Sequence, residues 1–126
     1  MGKDIRWKAA PENHDFPAAQ DLLSLLLPDD VAARVVAELQ VAAPLIRKAK
    51  DLLRASGLPV LGEDNEHVAK DLRKIDHGEE MSPVLLLRGD VRIGRPLVVA
   101  DGYHRICAIH HLDEDADVHC RIADLE

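Results

Sequence analysis

An acid, a glycine, an imidazole and a guanidinium fall within five consecutive positions, Asp101-Gly102-Tyr103-His104-Arg105, where an apolar run gives way to a helical pattern. Such a stretch reads as a buried strand ending in a glycine turn that opens a helix. The first amides of a helix lack intrahelical acceptors and carry the positive end of its dipole, so they suit an anionic group. Gly102 permits an unusual backbone angle and close approach of a ligand. His104 and Arg105 add donors at the same end, and the fork of Arg105 can grip a phosphate or carboxylate bidentately. Asp101 can orient one of these cations, take a proton or help hold a metal. A structural account uses the same residues: Asp101 caps the helix, and Arg105 pairs with Asp101 or Glu114. Spacing alone leaves both open.

The elements that must position this stretch follow from the apolar patterning. Leu97-Val98-Val99-Ala100 is a short strand broken by Asp101-Gly102, and Tyr103 to about Leu112 is the helix. Pro83-Val84-Leu85-Leu86-Leu87 is a second unbroken apolar run of strand length, with turns at Gly89-Asp90 and Gly94 between the two. Asn65 caps a helix over Glu66–Asp76 with Val68, Leu72 and Ile75 inward, and Gly78 ends it. An acidic loop at 113–117 precedes a last strand, Val118–Ile122, and Leu58-Pro59-Val60-Leu61 is a short extended, strand-like segment.

The first half carries the helical period. Asp15 as cap, Pro17 in the first turn and the cluster Leu22, Leu23, Leu25, Leu26, Leu27 predict a helix stopped by Pro28. Asp29 or Asp30 caps a second helix with Val31, Val35 and Leu39 on one side. Beyond Pro44, Leu45-Ile46 leads into a third helix that runs to Ser56 and closes at Gly57, since Ala42, Ile46, Ala49 and Leu53 share one helical face. The expectation is a single α+β domain: a helical N-terminal region over residues 1–57, packed on a small mixed sheet with helices over 58–126.

Composition sets outer limits. The chain has 126 residues, 47% apolar and 31% charged, with a formal net charge of −7. Residues 1–59 balance eight bases with eight acids, whereas 60–126 set eight bases against fifteen acids, so the negative excess lies wholly in the half that carries the motif. That field repels phosphate backbones, and no direct nucleic-acid partner is expected. Two cysteines make no disulfide framework, no apolar run reaches membrane-spanning length, and the Met1–Lys8 end lacks a secretory apolar stretch, which together suggest a cytoplasmic setting.

Asp101-Gly102-Tyr103-His104-Arg105, followed by Ala108, resembles the D-G-x-H-R-x-x-A signature of the ParB/sulfiredoxin-like superfamily. The surrounding order is similar as well: a helix and glycine, the Pro83-Val84 strand, a hairpin, the motif helix, then the strand around Val118-His119-Cys120-Arg121-Ile122. The resemblance covers roughly residues 58–123. It implies a nucleotide or phosphorylated metabolite, of the ATP, ADP or CTP class with Mg²⁺, whose phosphates lie at the glycine-to-helix junction. Members include CTP-hydrolysing partition proteins, sulfiredoxin and ADP-dependent free-serine kinases, so phosphoryl transfer and nucleotide hydrolysis are the reactions implied.

Departures narrow the choice. Tyr103 stands where sulfiredoxin has its nucleophilic cysteine, and Gly102-Tyr103-His104-Arg105 lacks the glutamate of the partition proteins' G-E-R-R; no helix-turn-helix follows the motif. The implied site then comprises Asp101, His104 and an upstream acid, for which Glu63 is the nearest candidate, as the catalytic groups. Gly102, Tyr103, His104 and Arg105 are the ligand-binding groups, Tyr103 either stacking on a base, donating to phosphate or anchoring the helix.

Two other readings stand beside this one. His104, Cys107 and His111 fall on one helical face and His119-Cys120 follow, a donor set that can hold zinc. The fold can also serve as a non-enzymatic regulatory module, with the N-terminal helices forming a homodimer or partner surface.

Overall fold

The computed structural model describes residues 4–126. The first residues of the Met1–Lys8 segment therefore lie outside the described part. In chain order the elements are α1 (Asp15–Leu23), α2 (Asp29–Val41), β1 (Leu45–Lys48), α3 (Ala49–Ser56), α4 (Glu66–Asp76), β2 (Val84–Leu87), β3 (Val98–Asp101), α5 (Tyr103–Leu112) and β4 (Asp117–Ala123), with a single 3₁₀ turn at Val91–Ile93 inside the β2–β3 connection. Five helices and a four-stranded mixed sheet make this an α+β fold.

The strand order is β1-β4-β2-β3. β2 and β3 form the antiparallel hairpin, β4 lies parallel to β2, and β1 closes the far edge antiparallel to β4. All four residues of β2 are buried, as an unbroken apolar run in a central strand requires. Alternation then sends Leu85 and Leu87 to one face and Val84 and Leu86 to the other. On the first face, Ala19, Leu23, Ala32, Val35, Val36 and Leu39 of α1 and α2 cover Leu85, Leu87, Ala100 and Ala123. On the second, α3, α4 and α5 pack through Leu52, Leu53, Val68, Ile75, Ile106 and Ile109. The sheet is thus sandwiched between two helical layers. Among the described residues, no helix is long and apolar enough to cross a membrane.

Several expected boundaries move. Leu45–Lys48 is an edge strand and not the lead-in to a helix: Leu45 pairs with Cys120 and Lys48 with Asp117, so the N-terminal region contributes to the sheet itself. Leu58–Leu61 joins no ladder, and its backbone instead braces α5. The first helix stops at Leu23, where Ser24 turns its hydroxyl back onto the Gln20 carbonyl, leaving Leu25 and Leu26 exposed. Asp15 is not its cap. His14 occupies that position, and Asp15 is buried with its carboxylate turned inward.

Candidate functional site

α4 and α5 lie side by side, and the strand–glycine–helix junction opens between them. Asn65 fixes the start of α4 by accepting from the amides of His67 and Val68. That places His67, Lys70, Asp71 and Lys74 along the face of α4 that looks onto Asp101, Gly102, His104 and Arg105, around a groove of 180 Å³. A contiguous cleft of 340 Å³ shares His67, Asp71, Lys74, Asp101 and Arg105 and extends past Met81 and Ser82 to the loop at Glu12, His14 and Asp15.

Gly102 stands at the N-cap of α5 with φ of 109°, and no side chain caps this helix. A Cβ at this position would lie 2.4 Å from Cγ1 of buried Val84, so the turn needs glycine for conformation and for packing. Gly102 itself lines the groove, and the first amides of α5 have no acceptor within their own helix.

Arg105 has a task other than gripping a ligand. Its Nη2 reaches Oδ2 of Asp101 at 2.5 Å and its Nη1 donates to the Ser82 carbonyl at 2.6 Å, with Oδ2 of Asp15 at 3.9 Å. The side chain is 13% exposed. Asp15 in turn accepts from the Ser82 hydroxyl and from the Glu12 amide. This network ties the chain before α1, the entry to β2 and the start of α5 together. The Asp101–Arg105 pair of the structural account is therefore present, and the free guanidinium is not.

The electrostatics follow from crowding. Burial pushes the Asp101 carboxyl above the usual range; Arg105 opposes this, while neighbouring Asp15 adds to it. Burial likewise raises Asp71 against the pull of Arg105, Lys74 and His104. His104 is lowered, by burial first and then by His67, whose ring centre is 4.7 Å away, with Asp71 opposing. Lys70 and Lys74 form no ion pair among the described residues, so two ammonium groups one helical turn apart stay available to the groove.

Of the residues anticipated from sequence, Asp101, Gly102, His104 and Arg105 come together on this groove. Tyr103 does not line it. Its hydroxyl donates to the Pro59 carbonyl at 2.5 Å, anchoring the helix start. Glu63 is exposed in the turn before α4 and lines neither cavity. Of the donors considered for zinc, His104 lines the groove, and the others have separate surroundings. Cys107 is a buried residue of α5, and His111 Nε2 lies 2.7 Å from the Leu61 carbonyl. His119 stacks on Trp7, and Cys120 Sγ approaches the Leu45 carbonyl, its thiol pushed up to about 11 by burial. The sequence reading takes Asp15 for a helix cap and assigns no part in the site to Ser82, His67, Lys70, Asp71 and Lys74. The i, i+4 spacing of Lys70 and Lys74 behind an Asn cap was the available signal for the last group.

Comparison with family models, with curated proteins and with solved structures finds no match to this chain.

Proposed function

We propose that the groove between α4 and the start of α5 binds a nucleotide or another phosphorylated metabolite through its phosphates. The observation that carries this reading is the convergence of Lys70 and Lys74 with the side-chain-uncapped N-terminus of α5 at Gly102. Phosphate oxygens lie over the first amides of α5, the two ammonium groups neutralise them from the α4 side, and His67 and His104 add imidazole donors. Arg105 acts behind the groove, holding Asp101 and the strand end in place. Met81 is the one large apolar side chain among the described lining residues, so recognition rests on charge and not on an apolar base pocket. A magnesium ion on the phosphates would be held by Asp71 and would supply charge neutralisation.

The resemblance of the sequence to the ParB/sulfiredoxin-like superfamily supports this reading, and under it phosphoryl transfer or nucleotide hydrolysis would use Asp101 and His104. Thermal-shift measurements across inorganic phosphate and nucleoside di- and triphosphates, with and without Mg²⁺, test the binding. A ligand at 100 times its Kd raises stability by about 2.7 kcal/mol. The Lys70→Ala/Lys74→Ala variant should keep its fold and lose that gain. No stabilisation by any phosphate compound, or an undiminished gain in the double variant, overturns this reading.

A second reading, a self-associating or partner-binding module without turnover, draws on Leu25, Leu26 and Val41, which stay exposed at the ends of α1 and α2. A monomer by light scattering at high concentration removes the self-associating form.

A further inference from the structure

The loop that enters α1 contains Glu12-Asn13-His14-Asp15, and its three ionisable side chains converge. Nε2 of His14 lies 3.0 Å from Oε2 of Glu12 and 3.4 Å from Oδ1 of Asp15, and the three donor atoms sit within 4.8 Å of one another. Zinc bonds to nitrogen and carboxylate oxygen of about 2.0–2.2 Å at tetrahedral angles set neighbouring donors roughly 3.3–3.6 Å apart. The Asp15 spacing of 3.4 Å falls in that range, and the Glu12 spacing of 3.0 Å lies just below it.

Each carboxylate also has one oxygen fixed by the protein and the other turned to the imidazole. Glu12 Oε1 takes Lys8 Nζ at 3.2 Å, leaving Oε2 for His14. Asp15 Oδ2 takes the Ser82 hydroxyl and the Glu12 amide, while Oδ1 faces His14. Outer bonds of this kind orient metal ligands. Asp15 is 4% exposed, whereas His14 is 78% exposed, so the anchored ligand is internal and the imidazole can adjust its approach from solvent.

The charge around the loop points the same way. Asp15 and Asp101 lie against a single guanidinium, that of Arg105, at the bottom of the 340 Å³ cleft whose rim is Glu12 and His14. The buried Asp15 and the half-buried Asp101 share that one guanidinium, and a proton or a further cation offsets the negative charge that remains.

We infer that Glu12, His14 and Asp15 form a binding site for a divalent transition cation, Zn²⁺ by the chemistry of one imidazole and two carboxylates, with the open coordination position directed into the cleft. Imidazole disfavours Mg²⁺ and Ca²⁺, which prefer all-oxygen sites. The site is separate from the phosphate groove and does not depend on it. A cation held there faces any ligand that extends along the cleft from Lys74.

The test uses the untagged protein, stripped with chelator and titrated calorimetrically with ZnCl₂ alone, without any phosphate compound. One Zn²⁺ per chain is expected. His14→Ala and Glu12→Ala, at solvent-accessible side chains that leave the Asp15–Ser82 bond in place, should each weaken binding at least tenfold. His77→Ala, at the end of α4, should not. Absence of saturable zinc binding leaves His14 as a partner of the two carboxylates alone and overturns the inference. Zinc binding unchanged in both loop variants assigns the metal to other histidines and overturns it equally. Failure of the phosphate screen bears only on the groove, since no phosphate enters this titration.

Discussion

Arg105 and Asp101, one helical turn apart, close a 2.5 Å ion pair across the point where β3 becomes α5. The same guanidinium donates to the carbonyl of Ser82, which precedes β2. One side chain therefore fixes the strand end, the helix start and the neighbouring strand relative to one another. Asp101 is thereby held in a defined orientation by a group four residues downstream.

Removing that guanidinium leaves Asp15 and Asp101 facing each other without a cation. Arg105→Ala is expected to cost up to about 3–5 kcal/mol, the range for deleting one partner of a fully buried pair, since these two side chains keep some exposure. Urea unfolding at pH 7 measures it. Arg105→Lys should recover only part of the loss, because one ammonium cannot reproduce both arms of the fork. A cost below about 1 kcal/mol, typical of exposed pairs, contradicts the bracing role.

His104 should titrate below the ordinary imidazole value of 6.5, because burial and His67 disfavour its charged form more than Asp71 favours it. In the unfolded chain the same ring protonates at the ordinary value. Its contribution to stability is thus fully present above pH 6.5 and is lost as pH falls through the lower folded value. Proton NMR of the ring gives the midpoint directly. His67→Ala should move it upward, and an anion seated among Lys70, Lys74 and the α5 amides should do the same. A midpoint at or above 6.5 in the free protein contradicts the crowding described at the groove.

Gly102→Ala combines a left-handed backbone angle with a Cβ set 2.4 Å from Cγ1 and 2.9 Å from Cβ of Val84. The strained angle alone costs about 1–3 kcal/mol, and overpacking adds a similar amount. Val84→Ala removes the nearer atom, so the double variant should be less unstable than the two single losses added together. Thermal unfolding of the four proteins checks this. Strict additivity would show that the backbone angle, and not the contact with Val84, is what demands glycine.

Local signals carried much of the fold. The β2 run, the Asn65 cap, the strand–glycine–helix junction and α5 depend on neighbours close in sequence, and they lie where the patterning puts them. β1 was hidden because Ile46, Ala49 and Leu53 keep helical spacing, while its exposed residues show no strand alternation. Its extended form comes from pairing with Asp117–Cys120, far along the chain. Leu58–Leu61 has strand-like residues but finds no partner strand, only Tyr103 and His111 on its carbonyls. The site divides in the same way. Asp101, Gly102, His104 and Arg105 were legible as one local cluster. The partners Asp15 and Ser82 were not, because a buried aspartate near a helix start reads as a cap until a distant hydroxyl is known to meet it. For the same reason spacing alone left Arg105 open between gripping a ligand and pairing with Asp101.

The strand order has a consequence for how the chain can acquire its structure. β4 is the last strand along the chain, yet it occupies an interior place, between β1 and β2. During synthesis from the N-terminus, β1 must wait without its hydrogen-bonded neighbour until more than sixty further residues have emerged. α1 and α2 must wait for Leu85, Leu87, Ala100 and Ala123. The hairpin of β2 and β3 with α5 can form early from nearby contacts, whereas closure of the sheet is non-local and slower. The groove, built on α4 and α5, thus belongs to the part that can order first, and the Glu12–Asp15 loop belongs to the part that docks last.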